Sequence, residues 1–249
     1  MSPRRWAGLA GLTVALALYT AGADRLWNGT LWPDLLFLTL VLFPATLGIV
    51  WLLLPLRDHK AMLPAGLVIV ALAVALHFAE LDVLNNLAKL FALICLGFWF
   101  LSWFENVMWA ALIAVIIPWV DAISVWRGPT HSITAHHFHV YLDVAIAFLV
   151  PAGRAAYLGP PDVLFYALFL AAAARWGLRV WWTWIATTFM YGITIVIANA
   201  VDVGGLPALP FLSFGFLLAN ADLLWARLRP RSSASSSSPE SSSPPTPRT

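Results

Sequence analysis

Apolar runs of about 18 to 20 residues recur along the chain, and they limit its fold more than any other feature. A helix of that length crosses the roughly 30 Å of hydrocarbon in a bilayer. Hydrophobic residues make up 61% of the chain and charged residues 10%, which is more apolar and less charged than soluble proteins are. The sequence therefore predicts an all-α polytopic membrane protein in the cell membrane.

About eight transmembrane helices are predicted. The first run follows Arg4 and Arg5, so a signal peptide is the alternative to a retained helix. A Ser/Pro-rich tail follows the last run, and it is predicted to be disordered because it has too few apolar residues to form a core. The predicted spans are 6–22, 35–54, 62–79, 87–104, 107–126, 162–178, 181–200 and 206–226.

The chain divides into three predicted parts. Residues 1–105 hold the first four spans, and residues 106–228 hold four more spans together with the motifs described below. Residues 229–249 are the predicted cytoplasmic tail. A net charge of +2 is too small to indicate a nucleic-acid partner, so the partners predicted from composition are membrane lipids.

The segment between the fifth and sixth spans has a different composition. Its apolar stretch Val140 to Val150 is too short to span a membrane as a helix. A turn-like Pro151-Ala152-Gly153 separates it from Ala155 to Leu158. This pattern predicts a small β-hairpin-like element near 140–158, at the membrane surface.

Basic residues predict the orientation, since they are enriched in cytoplasmic loops. If 140–150 does not span the membrane, most of them fall on the same side as both termini. The N- and C-termini are therefore predicted to be cytoplasmic. The basic residues on that side are Arg4, Arg5, Arg57, Lys60, Arg175, Arg179, Arg227, Arg229 and Arg231, and the exceptions are Arg25, Lys89, Arg127 and Arg154.

A charge in or next to a predicted span is costly and needs a partner or a purpose, and the neighbours of two aspartates single them out. Asp121 follows Pro118 by one turn, and a proline frees a backbone carbonyl in the turn before it. Asp121 therefore either lines a polar cavity or marks the end of its helix. Asp162 follows Gly159 and two prolines, which is the pattern of an ordinary helix cap. Local sequence therefore leaves two interpretations of Asp162 open: a helix cap at the membrane surface, or a charge placed in the membrane for chemistry. The two interpretations of Asp121 are open in the same way.

Three motifs occur in a fixed order: "VDAISV" at 120–125, "LGPPDVLFY" at 158–166 and "LPALP" at 206–210. Together they resemble the presenilin and signal peptide peptidase family of intramembrane aspartyl proteases. That family has Tyr-Asp, then Gly-x-Gly-Asp, then Pro-Ala-Leu in three successive regions. This chain departs from the pattern at Val120, which replaces the tyrosine, and at Pro161, which replaces the second glycine.

The resemblance implies a presenilin-like helical bundle that hydrolyses peptide bonds within transmembrane helices. It implies Asp121 and Asp162 as a catalytic pair that activates water, without a cofactor or metal. It also implies that the partner is a transmembrane-helix substrate. The residues implied to bind that substrate are Gly159, Pro207, Ala208 and Leu209.

Three alternatives remain open from the sequence. Pro161 lacks the N–H of the family glycine, so the chain is alternatively an inactive scaffold or substrate-binding protein of the same fold. A proton-coupled carrier, in which Asp121 titrates, is the second alternative. The third is a metal site, although four histidines in a polar loop are more often simply solvated. They are His131, His136, His137 and His139.

Overall fold

The computed structural model describes residues 1–26, 30–127, 138–151, 155–201 and 206–228. These residues form ten α-helices and two short β-strands. The helices are α1 (Pro3–Gly22), α2 (Leu31–Phe37), α3 (Phe43–Leu53), α4 (Met62–Phe78), α5 (Asp82–Leu101), α6 (Val107–Arg127), α7 (Phe138–Val144), α8 (Pro160–Arg175), α9 (Val180–Ala200) and α10 (Leu209–Leu228). The strands are β1 (Ile146–Leu149) and β2 (Ala155–Leu158).

Within the described ranges, 6 helical segments are long and apolar enough to cross a membrane. They are Pro3–Arg25, Leu31–Leu56, Asp82–Leu101, Val107–Val125, Val180–Ala200 and Leu209–Leu228. Each of the eight predicted spans contains a helix, but α4 has 17 residues and α8 has 16. Large apolar side chains on the outer surface, such as Trp119 at 71% exposure, suit contact with lipid rather than water. The chain is thus a largely helical membrane protein.

Helix α8 lies at the centre of the bundle. It packs against α5, α6, α9 and α10, and the seven consecutive residues 167–173 are all buried. A helix that is apolar and buried on every side belongs inside a bundle rather than on its surface. Its run of four alanines, 171–174, lets neighbouring backbones come close. The position of Asp162 is therefore fixed by several helices.

Gly97 of α5 lies very close to the backbone of α8. A Cβ atom placed on Gly97 would lie 2.6 Å from the carbonyl oxygen of Leu164 and 3.0 Å from Cβ of Ala167. A real side chain cannot occupy that space without moving a helix, so glycine is required there for tight packing. This contact holds the first half of α8 against α5.

The predicted hairpin is present as a two-stranded antiparallel sheet. Ile146 of β1 pairs with Leu158 of β2, and Leu149 pairs with Ala155. The first part of the predicted Val140 to Val150 stretch is different: it belongs to α7, whose last turn is closed by a bond from the Ala145 N–H to the carbonyl of Tyr141. β1 therefore has four residues instead of eleven.

Arginines from several helices meet at the opposite end of the bundle from this sheet. Arg175 of α8 donates to the carbonyl of Leu101 and lies 3.6 Å from Asp58. Arg179 forms a bidentate pair with Asp222 at 2.7 and 2.9 Å. Because these contacts join the C-terminal ends of α5, α8 and α10, one end of the molecule carries a concentration of basic side chains.

Candidate functional site

Asp121 lies in α6, one turn after Pro118. Proline at that position removes the hydrogen bond that the carbonyl of Ala114 would accept in a regular helix. Asp121 is half-buried, and its Oδ2 atom accepts a hydrogen bond from the backbone N–H of Leu209 at 3.0 Å. Leu209 is the first residue of α10, so Asp121 caps the N-terminus of another helix.

Asp162 is the third residue of α8 and caps the start of its own helix. Its Oδ2 atom accepts a hydrogen bond from the N–H of Gly159 at 3.1 Å. Pro160 and Pro161 occupy the first two helical positions, where an N–H has no partner within the helix in any case. Pro161 is therefore compatible with the helix start, and the sequence reading of "GPPD" as a cap is correct.

The structure brings the two carboxyl groups to the same site. Helices α6 and α8 pack against each other, and the charge of Asp121 is within electrostatic reach of Asp162. Each group uses Oδ2 for a backbone N–H, while Oδ1 of each has no hydrogen-bond partner in the described part of the chain. Acid–base chemistry on a bound molecule requires two such carboxyl groups within reach of it, and the packing of α6 on α8 is compatible with that arrangement.

The Pro207-Ala208-Leu209 segment adjoins this site through the Asp121–Leu209 bond. Residues 206–208 are not helical, and Pro207 and Leu209 are buried. An irregular apolar backbone is tolerated at membrane depth only inside protein or beside a cavity. Gly159 also belongs to the site, because its N–H is bonded to Asp162.

Three tyrosines, which sequence reasoning missed, lie near Asp162. Tyr166 lies one turn after Asp162 on the same face of α8, and its hydroxyl bonds with that of Thr188 at 2.8 Å. Burial, together with the charge of Asp162, raises the pKa of Tyr141 to about 12. Tyr191 of α9 is also within electrostatic reach of Asp162. Only Tyr166 had a sequence signal, its four-residue spacing from Asp162.

The histidines and an apolar groove are two other features of the molecule with the character of a site. Of the four histidines only His139 is described, so the alternative of a metal site falls largely outside the described residues. A groove of about 640 Å³ lies between α6 and α10, and Met108, Trp109 and Trp225 are among its mostly apolar lining residues. It is near the start of α6, and Asp121 is near the end, so the groove is separate from the acidic pair.

Comparisons with protein-family models, with curated proteins and with solved structures found no match. The fold and the site define a polytopic helical membrane protein with a buried or half-buried carboxyl group on each of two packed helices, α6 and α8.

Proposed function

We propose that this protein is an intramembrane aspartyl protease that hydrolyses peptide bonds of transmembrane helices, with eight membrane spans in a presenilin-like bundle. The observation that carries the proposal is the convergence of Asp121 and Asp162 from two helices, each held by a backbone N–H. The contact of Asp121 with the Pro-Ala-Leu segment supports it further, because it unites all three motifs of the resemblance at one site.

The proposed reaction uses the pair as acid and base. Two neighbouring carboxyl groups do not both ionise readily, so they share one proton. The ionised group takes a proton from water as the water oxygen attacks the peptide carbonyl carbon. The protonated group donates to the carbonyl oxygen. When the C–N bond breaks, the leaving nitrogen takes a proton from the pair. The products are a carboxyl and an amine terminus.

The proposed orientation places the arginine-rich end of the bundle in the cytoplasm. Arg5 of α1 lies over the ring of Trp51 at 5.1 Å, so the start of α1 is at the end where α3 finishes. Arg227 donates to the carbonyl of Trp176, which links the end of α10 to the end of α8. Positive residues at one end support cytoplasmic termini.

A substrate strand is proposed to add to β2 rather than to β1. The outer edge of β1 is already occupied: the amide of Asn86 bonds to both the N–H and the C=O of Ala147, at 2.8 and 2.7 Å. Tyr19 donates to the carbonyl of Leu149 at 3.0 Å. An unwound substrate segment therefore has no free backbone groups to pair with on that edge.

By the same pairing logic, the outer edge of β2 has no backbone partner among the residues that the structure describes. Ala147 faces Tyr157, and Ala147 turns its N–H and C=O away from β2 towards Asn86. In an antiparallel ladder, two opposite residues that are not hydrogen-bonded to each other both turn their N–H and C=O groups away from the partner strand. The backbone groups of Tyr157 are thus available to an added strand, immediately before Asp162 in the chain.

The test is reconstitution of the purified protein in liposomes with a fluorogenic transmembrane peptide. We expect cleavage that a hydroxyethyl-type transition-state inhibitor blocks. Binding of the peptide without any cleavage would instead favour the inactive scaffold. Proton flux across the liposome membrane, with neither binding nor cleavage, would favour the carrier.

Replacing Asn86 tests the strand-addition part of the proposal. Asn86→Ala leaves the N–H and C=O of Ala147 without partners, so the sheet loses roughly 1–3 kcal/mol of support. We expect KM for the peptide to rise several-fold with a smaller change in kcat. Asn199→Ala is the matched control, because Asn199 bonds only to the Ile195 carbonyl of its own helix. Equal KM values for the two variants would contradict strand addition at this sheet.

A further inference from the structure

Tyr191 has a buried hydroxyl group without a partner. It lies in the middle of α9, is 1% exposed, and its hydroxyl oxygen has no hydrogen bond within the described part of the chain. Tyr191 is one of several buried polar groups of the described residues without a hydrogen bond, and such a group destabilises a fold unless it has a role. Phenylalanine would fill the same space without this cost. The hydroxyl of Tyr191 therefore calls for a functional explanation.

The ring of Tyr191 packs on the face of α8 that carries Asp162. Its centroid is 6.1 Å from that of Tyr166, and Tyr166 follows Asp162 by one helical turn on the same face. The ring of Phe43 also contacts Tyr191, with centroids 5.9 Å apart. In contact with two aromatic rings and 1% exposed, the Tyr191 side chain is tightly packed.

The charges that act on the Tyr191 hydroxyl come from the same site. Asp162 has the largest effect among them, and Asp121 also contributes. Neither carboxyl group is hydrogen-bonded to Tyr191 within the described part of the chain, so the acidic pair leaves this hydroxyl without a partner. Tyr166, in contrast, already has a partner in Thr188.

We propose that Tyr191 is a third catalytic residue, whose hydroxyl donates a hydrogen bond to the oxygen of the scissile carbonyl. This inference rests on the proposed protease function. The carbonyl oxygen gains negative charge as water attacks, and a fixed donor in a dry site stabilises that charge strongly. Tyr191 transfers no proton in this step: its O–H bond stays intact, and the proton balance remains with Asp121 and Asp162.

The experiment compares Tyr191→Phe with Tyr166→Phe in the liposome cleavage assay and in thermal unfolding. We expect Tyr191→Phe to lower kcat by about 100-fold, as for loss of one oxyanion donor, with KM within about two-fold. Its unfolding midpoint should equal or exceed that of the wild type, because the lost hydroxyl has no partner. Tyr166→Phe, which loses a buried hydrogen bond, should have a lower unfolding midpoint.

Two results would overturn this role for Tyr191 alone. One is wild-type kcat in Tyr191→Phe while Asp162→Asn is inactive. The other is a loss of stability in Tyr191→Phe as large as in Tyr166→Phe, which would reveal a structural partner for the hydroxyl. If the wild-type protein itself shows no cleavage that depends on Asp162, the protease proposal fails, and the role of Tyr191 fails with it.

Discussion

Asp162→Asn is expected to lower kcat for peptide cleavage by at least about 1,000-fold, within the range for loss of a general acid–base group. The amide oxygen of asparagine still accepts the bond from the N–H of Gly159, so the start of α8 is preserved. The side chain can no longer share a proton with Asp121, and without that proton the attack of water on the carbonyl is not assisted. The measurement is kcat of the reconstituted protein, and Asp121→Asn is expected to behave in the same way.

Asp222→Asn is the control for both variants. It makes the same change from carboxylate to amide at the arginine-rich end of the bundle. There Asp222 pairs with Arg179, and the side chain of Asp222 is 60% exposed. An exposed ion pair contributes only about 0–1 kcal/mol, so stability and cleavage should both stay near the wild-type values. Wild-type cleavage by either Asp121→Asn or Asp162→Asn would refute the role of the acidic pair.

Gly97→Val is expected to destabilise the protein by about 3 kcal/mol, the upper end of the usual effect of overpacking a core. Its Cβ atom would be 2.6 Å from the carbonyl oxygen of Leu164, and a backbone atom cannot rotate away as a side chain can. Helices α5 and α8 must therefore separate. The measurement is the midpoint of unfolding in detergent, followed by heat or by denaturant.

The matched control is Gly11→Val in α1, where an added Cβ would have no neighbour within 4 Å. Both substitutions place valine in the middle of a helix, so they share the same change in helix propensity. The control is expected to change stability by less than about 1 kcal/mol. Equal stability of the two variants would show that the contact between α5 and α8 is looser than the structure describes.

The helices and the hairpin were predictable because their signals are local. Apolar runs indicate helices wherever they occur, and the turn at Pro151 together with the short run before it indicated strands. The length of β1 was not predictable, because residues 138–144 form α7 and an apolar run this short is compatible with either helix or strand. The bounds of α8, Pro160–Arg175, are shifted by two to three residues from the predicted span 162–178.

The candidate site was predictable only in part. The cap at Asp162 follows from "GPPD", since all its contacts lie within four residues. The bond between Asp121 and Leu209 joins residues 88 positions apart. Before the structure, only the resemblance to the protease family placed these two residues in one site. Tyr191 carries no local signal at all: a single tyrosine in an apolar helix usually finds a hydrogen bond, and only the three-dimensional structure reveals that this one does not.

The shortness of α8 has a consequence for the depth at which the site lies. Its 16 residues extend about 24 Å, which is less than the roughly 30 Å of the hydrocarbon layer. A lipid-facing helix with this mismatch would thin the bilayer around it. Helix α8 packs against other helices on several sides, so its length does not have to match the bilayer. Asp162 lies in the first turn of α8 and can therefore be several ångströms below the membrane surface. The longer helices α6 and α9 span the full thickness of the bilayer around it.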